Sequence, residues 1–297
     1  MKGIELSDTV VVQVEEPTRL ESAPSIICKN LKFSVKTKVN RRPPCCPGAT
    51  GEKVILDGVD LAFRPGTITA VMGASGAGKT TLLNALSGRA VGKVSGDVRC
   101  KQNETMTFIV QDDVMLQTLT PRENLMYSAK LVLPSTSWNS KSRCKRVEEL
   151  IEAFHLKNCA DTVVGIPGEK RGISGGERKR VSIAISLLAD PQLIFVDEPT
   201  SGLDSSAAFN VVRILRSLAD QGKTLIVTIH QPSQVIFDLF THVCLMSAGR
   251  VAFFGPRGSI EGHFAGIGCP HPLHANTAGW LIDLVDTNQE VLGSSSS

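Results

Sequence analysis

The chain has 297 residues, of which 42% are apolar and 21% are charged. This composition excludes a disordered chain, and the length allows one large domain or two small ones. The net charge is +3, from 32 Lys and Arg against 29 Asp and Glu, which gives no reason to expect a nucleic-acid partner. No apolar run approaches the roughly 20 residues that span a bilayer. The sequence as given therefore predicts a soluble chain.

The predicted elements begin after a polar N-terminal segment. Residues 1–24 show no hydrophobic periodicity, so we expect a disordered tail there. Two strands are predicted next, at Ile26–Val35 and Val54–Phe63, because both segments are apolar or alternate in polarity. Further short apolar strands alternate with helical patterns, and they are Ile68–Met72, Met106–Val110, Leu193–Val196, Leu225–Ile229 and Val243–Met246. Such strands indicate an α/β fold whose sheet has a parallel core covered on both faces.

A helical insertion is predicted within this α/β core. Residues 115–188 contain helical patterns without a clear buried strand, and two helix starts carry capping-box patterns, at Thr120–Glu123 and at Ser174–Glu177. The main domain is expected to extend over residues 25–286. Residues 287–297, which end in four serines, are expected to form a flexible tail.

A phosphate-binding loop is predicted directly after the strand Ile68–Met72. Its residues are Gly73, Ala74, Ser75, Gly76, Ala77, Gly78, Lys79 and Thr80. Glycines let successive backbone N–H groups point at phosphate oxygens, and the following helix adds the partial positive charge of its N-terminus. Lys79 would place a full charge near the β- and γ-phosphates, and Thr80 would offer a hydroxyl to Mg²⁺. A strand before this motif and a helix after it indicate the P-loop of a nucleotide-binding domain.

Polar side chains end three further apolar strands. Asp197 and Glu198 follow LIFV, His230 follows LIVTI, and Gln111 follows MTFIV. In open α/β sheets, ligands bind at the carboxyl ends of the strands, so these side chains are expected to meet at one edge. Asp197 would hold Mg²⁺, and Glu198 would act as general base on the attacking water. His230 would contact the γ-phosphate or the water, and Gln111 could reach a metal through its amide oxygen.

The turn Ser174–Glu177, named here the SGGE turn, allows two compatible interpretations. It can be a helix cap, with Glu177 accepting from the cap N–H. It can also be an anion site, because two glycines at a helix start leave backbone donors open to a phosphate. A second phosphate-binding helix start has no obvious use within one subunit's site. It makes sense if it faces a γ-phosphate held by another subunit in a two-fold dimer.

The order of these motifs resembles that of ABC-type ATPases. The matching segments are GASGAGKTT, the Gln of IVQDD, ISGGERKR, LIFVDEPT, SGLD and the His of TIHQPS, and the resemblance covers Ile26 to about Asp286. Finer detail is similar to subfamily G, the White-type transporters, in LTPRENLMYSAKLVLP, DEPTSGLDSSAAFNVV, HQPSQVIFDLF and GRVAFFG. The segment HANTAGWLIDLVD is similar to the stretch before the membrane domain of that subfamily, although Thr277 stands where proline is common.

The resemblance implies a fold, cofactors and partners. The fold would be a RecA-like P-loop core with a mainly parallel sheet, an N-terminal antiparallel β-subdomain and an inserted α-helical subdomain. The cofactors would be ATP and Mg²⁺. The partners would be a second ABC ATPase domain, in a homodimer or a heterodimer, and a transmembrane domain that this chain lacks. The domain would work at the cytosolic face of a membrane, powering transport, most simply export, of a lipophilic or other small substrate.

The resemblance also assigns roles to single residues. The phosphate cradle would run from Gly73 through Thr81, and Gln111 would touch Mg²⁺ and couple to the membrane domain. Ser174, Gly175 and Gly176 would close over ATP bound to the opposite subunit. The loop from Ser201 to Asp204 would cross to the partner, and His230 would sense the γ-phosphate.

One part of the family pattern is weak in this chain. Many ABC ATPases stack an aromatic side chain on adenine from the first strand region. Tyr127, the only tyrosine, lies outside that region, which leaves Phe33 as the candidate.

Three other interpretations remain open beside the transporter motor. A truncated chain could pair with a full-length partner and regulate it without hydrolysing ATP. A non-transport ABC ATPase acting on ribosomes or DNA would usually carry two cassettes, metal clusters or long coiled coils. An ordinary P-loop kinase would not need the SGGE turn.

Overall fold

The computed structural model describes residues 23–38, 50–102, 104–166, 172–273 and 275–293. Almost all of the predicted N-terminal tail, residues 1–24, lies outside these ranges. The predicted C-terminal tail lies partly outside them, and the last helix runs into the part that is described. The extents predicted for the tails, the main domain and the insertion stay predictions.

The chain divides into two compact units. The first comprises the chain up to Pro65, Thr69–Lys101 and the chain from His230 onwards. The second comprises Gly66–Ile68 and Gln102–Ile229. Each unit contains part of the predicted nucleotide machinery, since the phosphate-binding loop belongs to the first and the SGGE turn to the second.

The first unit is built around an antiparallel sheet and a second group of strands. In the antiparallel sheet, β1 (Ile26–Lys38) is central, with β2 (Thr50–Phe63) on one side and β4 (Lys93–Cys100) on the other. The wholly buried strand β3 (Ile68–Met72) pairs in parallel with β8 (His242–Ser247). Strand β8 in turn pairs antiparallel with β9 (Arg250–Pro256).

The helices of the first unit are α1 (Lys79–Leu86), α6 (Gln234–Phe237), α7 (Ile260–Gly266) and α8 (Thr277–Gly293). Aromatic side chains connect α8 to α7 and α7 to strand β9. The rings of Phe253 and Phe264 lie 6.1 Å apart, and the ring of Trp280 meets Phe264 edge-on at 5.6 Å. Edge-on pairs such as Phe264 and Trp280 stabilise by more than their buried area alone.

The second unit contains three parallel strands with the helices between them. Their order is β5 (Met106–Ile109), β6 (Leu193–Val196) and β7 (Thr224–Thr228). The helices are α2 (Pro121–Val132), α3 (Ser140–Ala153), α4 (Gly175–Ser186) and α5 (Ser205–Asp220). Every residue of β6 and β7 is buried, which explains why both read as continuous apolar runs in the sequence.

The α/β class predicted from the sequence is confirmed, with a mostly parallel set of strands, an antiparallel sheet and helices. Both capping boxes are present at the predicted helix starts, Thr120 and Ser174. Strands β4 and β9 were not predicted. In the part of the chain that the structure describes, no helix combines the length and the apolar character required to cross a membrane.

Candidate functional site

The phosphate-binding loop connects β3 to α1. Gly73 packs so closely on β8 that a Cβ there would lie 2.3 Å from the carbonyl oxygen of Met246, so only glycine fits. Gly76 has φ +79° with nothing within 4 Å of an added Cβ. Glycine is needed there for its backbone conformation rather than for space. The predicted loop therefore has one side packed against the strand and an exposed tip at Ser75 and Gly76.

Lys79 and Thr80 open helix α1, as predicted. The Lys79 side chain is buried, and its Nζ donates to the carbonyl oxygens of Gly73 and Ala74, both at 2.9 Å. These hydrogen bonds hold the Lys79 ammonium beneath the phosphate-binding loop. Thr80 is exposed and the following Thr81 is half-buried. The glycines leave the backbone N–H groups of the phosphate-binding loop accessible, and the ammonium of Lys79 lies beneath the loop. The residues present therefore fit a bound polyphosphate.

Asp197 and Glu198 follow β6 in the second unit, where the sequence places them. Asp197 is buried, and its Oδ1 accepts a 2.6 Å hydrogen bond from the hydroxyl of Thr228 at the end of β7. The same hydroxyl oxygen accepts a 2.8 Å bond from the backbone N–H of Glu198. Glu198 itself has φ +44°, a backbone region that non-glycine residues seldom occupy and that is enriched at functional sites. One hydroxyl thus fixes both acidic residues.

Gln111, predicted to contact Mg²⁺, lies just after β5 and is exposed. Its side-chain Nε2 donates to the hydroxyl of Ser201 at 3.2 Å. Its carbonyl oxygen accepts a 2.6 Å bond from the ammonium of Lys179, which also forms an ion pair with Asp113 at 2.8 Å. The structure therefore brings Gln111 together with one end of the predicted 201–204 loop.

The SGGE turn begins helix α4 as a complete capping box. The Ser174 hydroxyl accepts from the Glu177 N–H at 3.2 Å, and the Glu177 carboxylate accepts from the Ser174 N–H at 2.8 Å. Burial alone would raise the pKa of Glu177, but the hydrogen bonds from Ser174 and Cys159 and the charge of Arg180 hold the pKa below its ordinary value. Glu177 therefore stays ionised as a cap. Ser174 and Gly175 remain exposed, which leaves the anion-site interpretation open.

The SGGE turn packs directly on the start of α5. A Cβ on Gly176 would lie 2.8 Å from the Cβ of Ala207. Asp204, predicted to belong to the loop that crosses to a partner, is the N-cap of α5. Its Oδ1 accepts from the N–H groups of Ser206 and Ala207, both at 3.0 Å. The Asp204 carboxylate therefore caps the N-terminus of α5 within this chain.

His230 lies two residues beyond β7 and is exposed. The residue after it, Gln231, has φ +41°. The chain therefore takes an unusual backbone conformation directly after the predicted γ-phosphate sensor. The role of His230 stays a prediction.

Phe33, the candidate for adenine stacking, has the least favourable geometry of the predicted residues. Its side chain is only 5% exposed, and its ring covers Gly92 so closely that an added Cβ would lie 2.7 Å from two ring carbons. An aromatic ring that stacks on a base needs an accessible face. Val35 on the same strand is half-exposed and lines a surface depression with Ser34 and Gly92. The burial of Phe33 thus disfavours the stacking role, which no observation tests directly.

Two residues with clear positions were missed in the sequence. Thr228 reads as one more β-branched residue of a buried strand, and nothing in LIVTIH marks its hydroxyl. Lys179 reads as part of the basic run ERKR, which normally indicates a solvated helix face. Its neighbour Arg178 is also buried and donates to the carbonyl oxygens of Val164 and Gly165 at 3.1 Å. Two cations of this run, Arg178 and Lys179, therefore point into the protein rather than into solvent.

Comparison with known proteins agrees with this geometry. A family profile described as ABC transporter matches residues 56–201. The chain is 42% identical to the ABC transporter ATP-binding protein/permease wht-1 of Caenorhabditis elegans, over 77% of this chain and 36% of the relative. It is 39% identical to ABC transporter G family member 22 of Dictyostelium discoideum, over 97% of this chain and 47% of the relative. It is 41% identical to protein white of Drosophila melanogaster, over 78% of this chain and 36% of the relative.

The chain spans between 36% and 47% of the length of these three relatives. The matched part contains the phosphate-binding loop, Gln111, the SGGE turn and the acidic pair after β6. An ATP-binding domain of this kind implies ATPase activity. The chain therefore belongs to the ABC transporter family, in its G subfamily, and carries the nucleotide-binding ATPase domain of that family.

Proposed function

We propose that this chain is the ATP-driven motor of a membrane transporter. It binds ATP with Mg²⁺, pairs with a second ABC ATPase domain around two ATP molecules, and powers export of a lipophilic or other small substrate. The observation that carries the proposal is the arrangement of Asp197, Glu198 and Thr228. A buried hydroxyl that bonds one carboxylate and the backbone of the next acidic residue holds both in place for metal binding and base catalysis.

Binding would be the work of the loop from Gly73 to Thr81. Its backbone N–H groups and the ammonium of Lys79 would hold the phosphates, with the start of α1 adding its partial positive charge. Thr80, Gln111 and Asp197 supply hydroxyl, amide and carboxylate oxygens, the ligands that Mg²⁺ prefers. Bound Mg²⁺ would neutralise phosphate charge.

Hydrolysis would depend on Glu198 and His230. Glu198 would take a proton from the attacking water, and His230 would donate a hydrogen bond to the γ-phosphate. Base contact would be weak, because Phe33 is buried and the phosphates would dominate affinity. Every residue with a hydrolytic role in this scheme is present in the one chain, so a homodimer could carry two active sites.

Coupling would require the partner domain and a membrane domain. Ser174, Gly175 and Gly176 would close over ATP on the opposite subunit, and residues 201–204 would cross to it. The higher affinity of ATP for the closed than for the open pair would drive the conformational change. The domain would act at the cytosolic face of the membrane, with Gln111 at the link to the membrane domain.

ATP hydrolysis by the purified chain, with Glu198→Gln and Lys79→Ala as variants, tests this proposal. Removal of the general base is expected to lower kcat by about 10²-fold or more and to leave ATP affinity intact, because the phosphate contacts remain. Glu198→Gln should also accumulate as an ATP-bound dimer in sedimentation. Lys79→Ala should instead lose nucleotide affinity in calorimetry.

The outcomes separate the alternatives. A parent chain that binds ATP but releases no phosphate, even as a dimer, supports a regulatory subunit. Glu198→Gln turning over at the parent rate would show that another residue is the base. Phosphate release that depends on added RNA or DNA would favour a non-transport ATPase.

A further inference from the structure

Lys179 is a buried lysine that the proposed mechanism does not use. It lies on helix α4, five residues after the cap Ser174, and its side chain is 4% exposed. Lysine is almost never fully buried unless its charge is paired, because desolvation of an ammonium is costly. The burial of Lys179 therefore requires specific partners, and their identity defines what the side chain does.

Both partners belong to the segment that follows β5. The ammonium donates to the carbonyl oxygen of Gln111 at 2.6 Å and forms an ion pair with Oδ1 of Asp113 at 2.8 Å, a carboxylate whose side chain is 16% exposed. Hydrogen bonds from a charged donor are shorter and about twice as strong as neutral ones. Lys179 thus fixes the backbone of Gln111 to α4.

The side chain of Gln111 also has a hydrogen-bond partner. Its side-chain amide donates to the hydroxyl of Ser201 at 3.2 Å. With the backbone held by Lys179 and the amide held by Ser201, the side chain has a defined direction. Helix α4 carries the SGGE turn, and Ser201 begins the loop that ends at Asp204, so three nucleotide-related segments meet through Gln111.

The other basic residues of α4 have different tasks. Arg178 donates to the carbonyl oxygens of Val164 and Gly165, well away in sequence from Gln111. The charge of Arg180 acts on Glu177 and Cys159. Among the described contacts of this run, the bond to the Gln111 segment is therefore specific to Lys179.

We propose that Lys179 is a positioning residue that sets the direction of the Gln111 side chain for Mg²⁺ and transmits movement of that segment to the SGGE turn. The inference rests on the function proposed above. A displacement of about 1 Å in a catalytic arrangement can cost about 10²-fold in rate. Loss of Lys179 should therefore affect the use of Mg²⁺ and the rate of hydrolysis, while the phosphate-binding loop still binds nucleotide.

The test compares Lys179→Met, Lys179→Arg and Lys223→Met in the whole chain. Lys223 is the matched control, because its side chain is 9% exposed and its ammonium also bonds one carboxylate and one carbonyl, Asp190 at 2.7 Å and Pro191 at 2.9 Å. It does not contact Gln111 in the described residues. The measurements are kcat, the Mg²⁺ concentration for half-maximal rate, and amide hydrogen exchange of residues 111–114.

Binding gives a readout that does not depend on turnover. In the Glu198→Gln background, the ATP dissociation constant is measured by calorimetry with Mg²⁺ and with a chelator. For Lys179→Met in this background we expect the gain in affinity from Mg²⁺ to shrink, while the dissociation constant measured with the chelator stays within about twofold. With Glu198 in place, kcat of Lys179→Met should fall by about tenfold or more. Exchange of residues 111–114 should accelerate. Lys179→Arg, which keeps a cation, should recover most of the parent values.

A merely structural role would give another pattern. Equal losses in Lys179→Met and Lys223→Met, or unchanged Mg²⁺ dependence and exchange in Lys179→Met, would overturn the inference. If Lys179→Met fails to fold, Lys179→Met with Asp113→Asn replaces it, since that pair leaves no unpaired buried carboxylate, and it is judged by the same criteria. An inactive parent chain would overturn the proposed function and this inference together, whereas an active parent with an unaffected variant overturns this inference alone.

Discussion

At the scale of single residues, the hydroxyl of Thr228 bonds to both acidic residues that follow β6. It lies in a buried strand, donates to Asp197 at 2.6 Å and accepts from the backbone of Glu198 at 2.8 Å. Because Glu198 takes a positive φ, its backbone needs a partner that holds it there. The hydroxyl therefore stabilises a backbone conformation and orients a carboxylate at once.

Thr228→Val should separate these two effects from packing. The shape is kept, but the N–H of Glu198 loses its acceptor. A fully buried donor without a partner costs about 1–3 kcal/mol, and this part-buried donor should cost less. We expect a lower unfolding temperature and a kcat reduced more than ATP affinity. Thr228→Ser, which retains the hydroxyl, is the control. Equal kcat in the valine and serine variants would contradict the assigned role.

Residues that belong to a recognisable motif are easier to predict from the sequence than the residues that position them. The phosphate-binding loop and the acidic pair follow from residue type and spacing. Thr228 and Lys179 could not be predicted, because an interior hydroxyl and a buried cation are defined by partners about 30 and 68 positions away. Phe33 illustrates another limit, because the burial of an aromatic side chain on a strand cannot be read from its position in the sequence. Its stacking role stays a prediction.

At the scale of elements, helices α4 and α5 are in close contact near their starts, at Gly176 of the SGGE turn. Gly176 meets Ala207 there, with Ala207 held in the first turn of α5 by its bond to Asp204. The small residues permit the contact, and the caps on both helices fix where each one starts. The position of the SGGE turn thus depends on a steric fit between two helix starts.

Gly176→Ala is expected to destabilise the chain, although alanine is the better helix former. The new Cβ would lie 2.8 Å from that of Ala207, and overpacking of this kind costs about 1–3 kcal/mol. Gly175→Ala is the matched control, since its Cβ would lie 3.6 Å from a Leu203 methyl carbon, an ordinary contact. Thermal unfolding checks the difference. A Gly176→Ala variant as stable as Gly175→Ala would show that the helices move apart freely.

Helix starts and buried strands could be predicted because their signals are local. Capping boxes at Thr120 and Ser174 need only four residues each, and β6 is a run of four apolar side chains. Strand β4 gave no such signal. Its residues are exposed or half-buried and include Gly96, so it is held by pairing with β1 rather than by its own composition.

At the scale of the whole molecule, acid stability should depend on Asp190. This residue pairs with Lys223 and with Arg146 of α3. The guanidinium of Arg146 also donates to the carbonyl oxygens of Leu187 and Leu188, which directly follow α4. Burial alone would raise the pKa of Asp190. The hydrogen bond and charge of Lys223, with the charge of Arg146, hold the pKa below its ordinary value of 3.8.

The sign of the pH effect follows from that lowered pKa. Its contribution to stability is complete above pH 3.8, the ordinary pKa, and is lost as the pH falls through the lower pKa of the folded state. We expect the unfolding temperature of Asp190→Asn to fall less steeply in acid than that of the parent. Asparagine also suits the φ of +52° at this position. Parallel curves for the two proteins would exclude the linkage.

The buried lysines have a consequence for the chemical reactivity of the chain. Amine-directed acylating reagents attack exposed, unprotonated amino groups, and the ammonium groups of Lys79, Lys179 and Lys223 are each enclosed and engaged by oxygen atoms. A reagent can reach them only when the surrounding structure opens. Lys79 lies in the first unit and the other two in the second. The chain therefore contains a natural set of labelling sites whose modification rates report the local opening of each unit separately.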